Sequence, residues 1–284
     1  MIENPWIALA IGAGIAAACM TVLWLIQVRW RDATLVDIGW AYEIGILGVV
    51  YAIVGDGAAC HRILVGVLAA IWSLRLGTYL VVDRLLRHEG EDGRYRDMRR
   101  RWTERGISVN FWFFVFFQAQ ALLVVWFAVP MLLAAYNPSG SIEPLEIVGT
   151  VLFAVGLSLN VLSDRQLARW RTNPANKGKT CRAGLWRYSR HPNYFFEWLL
   201  WVGWAVIATA APWGWLGWMT PVLLLVLLFT ITGILPTEEQ ALRSRAEDYP
   251  ALPAGDLGLR PLAPETPVAA PKRRIAAATL TANN

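Results

Sequence analysis

A few polar residues interrupt runs that are otherwise apolar, and their types suit proton transfer and hydrogen-bond recognition. Asp37 and Glu43 share one run, Arg75, Tyr79 and Asp83 the next, Asn160 and Asp164 close another, and Asn193 and Glu197 open the one after it. Ionisable groups are costly in hydrocarbon, so each points to a polar interior shared by several segments. Asn160 and Asp164 are four apart, as are Asn193 and Glu197, and each pair shares one helix face. Two helix ends that each offer an amide and a carboxylate can read a carboxamide or a sugar hydroxyl through complementary donors and acceptors. Glu43 lies about 9 Å deeper than Asp37 at a helical rise. Tyr79 follows Arg75 by one turn, and Tyr42 adjoins Glu43. A carboxylic acid and a phenol in a dry pocket are hydrogen-bond donors for a carbonyl oxygen. Arg75, at a depth like that of Glu43, has two readings: a partner of Asp37 or Glu43 that registers two helices, or a member of the polar pocket.

Between Asp164 and Asn193 runs RQLARWRTNPANKGKTCRAGLWRYSRHP, basic throughout and containing Gly178 and Gly184. Arginine and lysine with close backbone approach suit phosphates. Lipid headgroups alone would also explain the basic residues. They would not explain the asparagine, tyrosine and histidine set among them, or Asp164 just before them. Pro192 fits the first turn of a helix, where its missing N–H costs nothing. Trp186, Trp198, Trp201 and Trp204 suit interfacial anchoring and packing.

The elements that must position these residues follow from composition. Of 284 residues 56% are hydrophobic and 17% charged, with a mean hydropathy of +0.41, which points to an all-α, multi-pass membrane protein in a lipid bilayer. Apolar runs near 6–28, 34–54, 62–83, 111–135, 145–164, 194–211 and 215–235 predict seven transmembrane helices. The first is flanked by Glu3 before and Arg29 and Arg31 after, unlike a cleaved signal peptide. Lys and Arg gather at 29–31, 84–105, 165–190 and after 235, while 55–61 and 136–144 carry none. That alternation places the N-terminus outside and the C-terminus in the cytoplasm. The net charge of +5 is thereby accounted for without nucleic acid. Cys19, Cys60 and Cys181 are scattered and the chain has 3 histidines, so neither a disulfide framework nor a metal site is expected. One membrane-embedded domain is read over 1–262, with substrate-pocket helices in 34–135 and a cofactor-binding half in 145–262. Residues 263–284, rich in Pro, Ala and Thr, read as a disordered tail.

The block NPANKGKTCRAGLWRYSRHPNYFFEWLLWVGWA, with SDRQLARW before it, HEGEDGRYRDMRRRW earlier and EDYP near the end, resembles the bacterial steroid 5α-reductase-like integral-membrane family. That family is related to sterol C14 and C7 reductases and, through its C-terminal half, to isoprenylcysteine carboxyl methyltransferase. The resemblance covers nearly all of the chain except the tail and is strongest over 160–205. It implies a seven-helix fold, NADPH in a cytoplasm-facing C-terminal half, and a steroid or similar hydrophobic enone among the N-terminal helices. Its cofactor residues would fall on Asn160, Asp164, Arg171, Lys179, Tyr188, His191, Asn193, Glu197 and Tyr249, with Arg94 and Tyr95 from the preceding basic segment. Mammalian members carry a glutamine-glutamate pair on the second helix and a tyrosine on the third to grip the 3-oxo group. Here that pair reads Tyr42-Glu43, and Tyr79 matches the tyrosine, so Glu43 with Tyr42 or Tyr79 is the expected catalytic set. The implied activity is NADPH-dependent reduction of the Δ4 bond of a 3-oxo-Δ4 steroid, in the inner membrane if the source is bacterial. An S-adenosylmethionine-dependent methyltransferase or a non-catalytic sterol-binding protein would share the fold, and cofactor identity and turnover separate them.

Overall fold

The computed structural model describes residues 1–86, 90–230, 233, 234 and 238. Their elements are helical throughout: α1 (Pro5–Trp30), α2 (Leu35–Val54), α3 (Ala59–Leu80, continued by a π-helical turn Val81–Leu86), α4 (Gly93–Glu104), α5 (Val109–Ala135), α6 (Pro144–Thr172), α7 (Pro192–Thr209) and α8 (Met219–Thr230). Apolar chain in hydrocarbon has no water to bond its backbone, and the helix satisfies those groups internally. Local signals fix the ends. The Asn4 side chain accepts from the Trp6 N–H at 2.9 Å with Pro5 opening α1, and Glu143 and Glu146 form a capping box at the start of α6.

Five helical segments, α1, α2, α3 with its π-turn, α5 and α6, are long and apolar enough to cross a membrane. They coincide with the first five expected spans. α7 reaches only 18 residues, about 27 Å, and carries Asn193 and Glu197, while Gly214–Thr230 is shorter still. The expected seventh span begins as the 3₁₀ turn Gly214–Trp218 before α8, and part of it, like the tail, lies outside the described residues. Two boundaries differ from expectation. α6 continues beyond Asp164 to Thr172, because Arg165 to Arg171 are good helix formers with basic charge favoured at a helix C-terminus. The basic segment after α3 holds the helix α4, whose N-cap Asp92 accepts from the Arg94 N–H at 2.9 Å.

Two helix pairs pack backbone to backbone through small residues. Between α6 and α7, a methyl group on Gly149 would lie 2.6 Å from the Gly203 carbonyl oxygen, and one on Gly156 2.7 Å from the Leu200 nitrogen. Between α2 and α3, Gly45 faces Ser73, Gly48 faces Ala69, and Gly77 lies under the Tyr42 ring. α1, α2 and α5 pack against one another. Trp40, Trp72, Phe127 and Trp201, from α2, α3, α5 and α7, meet edge to face at the centre, with centroids from 4.8 to 6.2 Å apart. Trp201 and Trp204 are fully buried, so they are core residues and not interfacial anchors.

Candidate functional site

The convergence expected at the ends of α6 and α7 is present. Asn160 Nδ2 donates to the Asn193 carbonyl at 2.8 Å and to Glu197 Oε2 at 3.2 Å. Asn193 Nδ2 donates to Asp164 Oδ1 at 3.3 Å, and Arg75 reaches across from α3 to bind the other Asp164 oxygen. Arg75 therefore pairs with Asp164, not with Asp37 or Glu43. The reason is register: Ser73 and Gly77 turn toward α2, which rotates Arg75 toward α6.

Two indoles complete this network. Trp72 Nε1 donates to Glu197 Oε1 at 2.8 Å and Trp201 Nε1 to the same oxygen at 3.1 Å. Half-buried Glu197 is thus held by three N–H donors from α3, α6 and α7. The donor roles of both asparagines fix their amide orientation. Each then presents its Oδ1, shielded from solvent and without a hydrogen-bond partner among the described residues. An amide oxygen left unbonded can accept from an NH₂ group such as that of a carboxamide.

Glu43 is treated in the opposite way. It is 3% exposed, and neither carboxyl oxygen has a hydrogen-bond partner among the described residues. Its surroundings come from α1: Cys19 lies within electrostatic range, and Oε1 lies 3.8 Å from where a methyl on Gly39 would stand, beside Leu23. No hydrogen bond joins Glu43 to Tyr42 or Tyr79. Tyr42 lies flat on Gly77, whereas Tyr79 faces the α6 side, with Arg75 5.6 Å from its ring centroid and Asp164, Asp83 and Arg171 in electrostatic range.

The remaining expected cofactor residues separate into two groups. Arg171, in the last turn of α6, and Lys179 and Tyr188, on the segment between α6 and α7, are exposed. Gly184 adopts a φ of 59° where a side chain would strike Gln166, and the Gln166 Oε1 accepts from the Leu185 N–H at 2.9 Å, which docks that segment on α6. His191 is buried, stacks on Tyr194 at 5.3 Å and lies 3.7 Å from Glu238. Arg190 pairs with Glu238 at 3.3 Å. Tyr249 lies outside the described residues.

Arg94 and Tyr95 are engaged elsewhere. Tyr95 Oη donates to Asp37 Oδ1 at 2.6 Å and Arg94 to Asp37 Oδ2 at 2.6 Å; Arg84 and Arg94 both bind Asp92. Burial pushes the Asp92 carboxyl up, but Arg94 and Arg84 override it and hold the group below the ordinary carboxylate range. Burial and the Asp37 carboxylate push the Tyr95 phenol up. This cluster latches α4 onto the start of α2. Trp72 and Trp201 were missed as site residues, although Trp201 is one turn after Glu197 and Trp72 three residues before Arg75; indole N–H groups on the faces of site residues were the available signal.

A family model described as "Protein of unknown function (DUF1295)" matches residues 23–254. The chain belongs to that family. It is similar to steroid 5-alpha-reductase DET2 of Arabidopsis thaliana, 35% identical over 71 residues that make up 25% of this chain and 26% of that protein. The protein of that name from Gossypium hirsutum is 31% identical over 108 residues, 37% of this chain and 38% of the relative. The 3-oxo-5-alpha-steroid 4-dehydrogenase 1 of Bos taurus is 30% identical over 117 residues, 41% of this chain and 43% of the relative. The chain therefore spans less than half the length of these relatives. No solved structure matches it. The DUF1295 family and these steroid reductases agree with the family resemblance carried by the 160–205 block.

Proposed function

We propose that the chain is an NADPH-dependent reductase of the Δ4 double bond in 3-oxo-Δ4 steroids or similar hydrophobic enones. The observation that carries this reading is the presence of two sets of shielded polar atoms without a hydrogen-bond partner among the described residues, the Asn160 and Asn193 amide oxygens and the Glu43 carboxyl. Names of relatives that act on 3-oxo steroids favour the same chemistry. In this reading seven spans cross the bilayer, α7 and the segment from Gly214 being the last two, with the N-terminus outside and the α6–α7 ends facing the cytoplasm.

When bound, NADPH would supply the hydride that adds to the enone β-carbon. Asn160 and Asn193 hold the carboxamide through their Oδ1 atoms, and Glu197, fixed by Trp72 and Trp201, keeps Asn160 oriented. Arg171, in the last turn of α6, and Lys179, on the exposed segment after it, would bind phosphates, and Tyr188 and His191 would border the nucleotide. Glu43 donates its proton to the carbonyl oxygen as negative charge develops there. A proton from solvent then reaches the α-carbon as the carbonyl re-forms and returns the first proton to Glu43. Tyr42 and Tyr79 are the two phenols available for a second hydrogen bond, and phenylalanine at each decides between them.

The test is turnover of androst-4-ene-3,17-dione with NADPH by the full chain in lipid vesicles. Wild type reduces the Δ4 bond, and Glu43→Gln loses about 10²–10⁴-fold in rate, the usual contribution of acid–base catalysis, while NADPH binding is kept. No reduction by the wild type, or near-normal turnover in Glu43→Gln, overturns the reading.

A further inference from the structure

α4 lies across one end of the bundle, over the last turn of α1 and the opening turns of α2 and α5. Arg99 donates to Gln27 Oε1 at 3.0 Å, Tyr95 Oη to Asp37 Oδ1 at 2.6 Å, and the Trp102 ring meets Phe113 edge to face at 4.9 Å. The Ala33 N–H also donates to Glu91 Oε1 at 3.0 Å, which ties the chain just after α1 to the segment leading into α4. Arg84, Arg94 and Arg99 are occupied in this docking by Asp37, Asp92 and Glu91. The remaining arginines divide sharply. Arg100 is bound by Asp97 at 2.9 Å and lies 3.9 Å from Glu104. Arg29 and Arg31 at the end of α1, Arg96 and Arg101 on α4 and Arg105 at its C-cap are all exposed, and none has an ion pair among the described residues.

Aromatic rings mark the level at which these arginines stand. Trp30 closes α1, Phe111 and Trp112 open α5, and all three are exposed. Tryptophan prefers the boundary between hydrocarbon and headgroups. Trp24 Nε1 donates to the Asn110 carbonyl at 2.9 Å, so the end of α1 and the start of α5 share that boundary. Arg29 and Arg31 flank Trp30, and Arg105 precedes Phe111 by six residues. The unpaired guanidinium groups are thereby held at the headgroup layer. Arg31 bears the same mark in its backbone: it takes the left-handed C-cap of α1 with a φ of 55°, a conformation that glycine adopts without strain. The cost of a side chain there is offset by its charge, at the helix C-terminus and at the headgroups.

We propose that this face of α1 and α4 is a binding surface for anionic phospholipid. The arginines take the headgroup phosphates through paired N–H donors. A zwitterionic lipid brings its own ammonium to the same phosphate, so the surface selects lipids with net negative charge. This inference is independent of the reductase reading, because none of the five arginines belongs to the proposed site.

The test uses the full chain in phosphatidylcholine vesicles with a trace of spin-labelled phosphatidylglycerol or spin-labelled phosphatidylcholine. The fraction of label immobilised by the protein gives the preference for the anionic lipid. Arg100 and Arg101 are neighbours of equal formal charge, one paired and one not, and both are exposed, so glutamine at either keeps the fold, with the melting temperature as the check. Arg101→Gln should lower the preference by about 2–5-fold, up to the worth of one arginine at an anionic surface. Arg100→Gln should leave it unchanged, and the combined change of Arg96, Arg101 and Arg105 to glutamine should lower it further than Arg101→Gln alone. No preference in the wild type, or equal losses in Arg100→Gln and Arg101→Gln, overturns the proposal, the second because it would reflect overall charge and not a local surface. Displacement of the labelled phosphatidylglycerol by inorganic phosphate, but not by chloride at the same ionic strength, would also overturn it, since the surface would then take free phosphate.

Discussion

Glu43 and Glu197 are the same residue type within one helical bundle, and the protein handles them in opposite ways. Glu197, the more exposed of the two, is held by Trp72, Trp201 and Asn160. Glu43, the more deeply buried, has no partner. Burial without compensation is costly, so satisfied polarity marks a group whose task is to hold a geometry. Unsatisfied polarity marks one whose partner arrives from outside. The depth of a carboxyl in the bilayer therefore says less about its role than its set of donors.

Leucine at each position puts that contrast to its strongest test. Glu197→Leu strands the Trp72 and Trp201 N–H groups and should cost about 1–3 kcal/mol for each indole, read as a lower midpoint of unfolding in detergent. Glu43→Leu strands nothing and removes an uncompensated carboxyl, so its midpoint should equal or exceed that of the wild type while reduction is lost. Equal destabilisation by the two changes would show that Glu43 has a structural partner after all.

A smaller effect sharpens the contrast on the Glu197 side. Trp72→Phe keeps a ring between Trp40 and Trp201 but removes one donor from Glu197, which leaves Asn160 less firmly held. The KM for NADPH should rise by about 3–10-fold, the worth of one net hydrogen bond, while the KM for steroid stays the same. A change confined to the steroid KM would place Trp72 beside the steroid instead.

The smallest effect belongs to the latch of α4 on the start of α2, where charge is paired and nothing awaits a ligand. Asp92 titrates below its unfolded value of about 3.9, so the stability it contributes is present above that pH and is lost as pH falls through the lower, folded value. Arg94→Ala removes the main opposing charge and lets burial raise the carboxyl, so acid unfolding should begin at a higher pH than in the wild type. An unchanged acid midpoint would mean that Arg84 alone holds Asp92.

What could be read beforehand follows the same division. The first five spans were legible because hydrocarbon requires long apolar helices, and the Asn160–Asp164 and Asn193–Glu197 faces because i, i+4 spacing is a property of any helix. The partner of Arg75 was not legible. Asp37, Glu43 and Asp164 are all reachable in sequence terms, and the choice among them depends on how α3 is rotated by the packing of Ser73 and Gly77 on α2. Trp72 and Trp201 were hidden because tryptophan in a membrane chain has an ordinary interfacial use.

The contact of α6 and α7 through Gly149, Gly156 and Gly203 bears on bilayer thickness. α6 has 29 residues, about 43 Å of helix, more than a hydrocarbon layer of about 30 Å requires, and a helix of excess length adapts to its membrane by tilting. Backbones in direct contact leave no side chains to repack, so any tilt of α6 carries α7 with it and leaves the Asn160–Asn193 pairing undisturbed. The adjustment falls instead on the longer reach from Arg75 to Asp164, between helices that do not share such a contact. Lipids of different acyl length thereby change the angle between α3 and the α6–α7 pair, not the internal geometry of that pair.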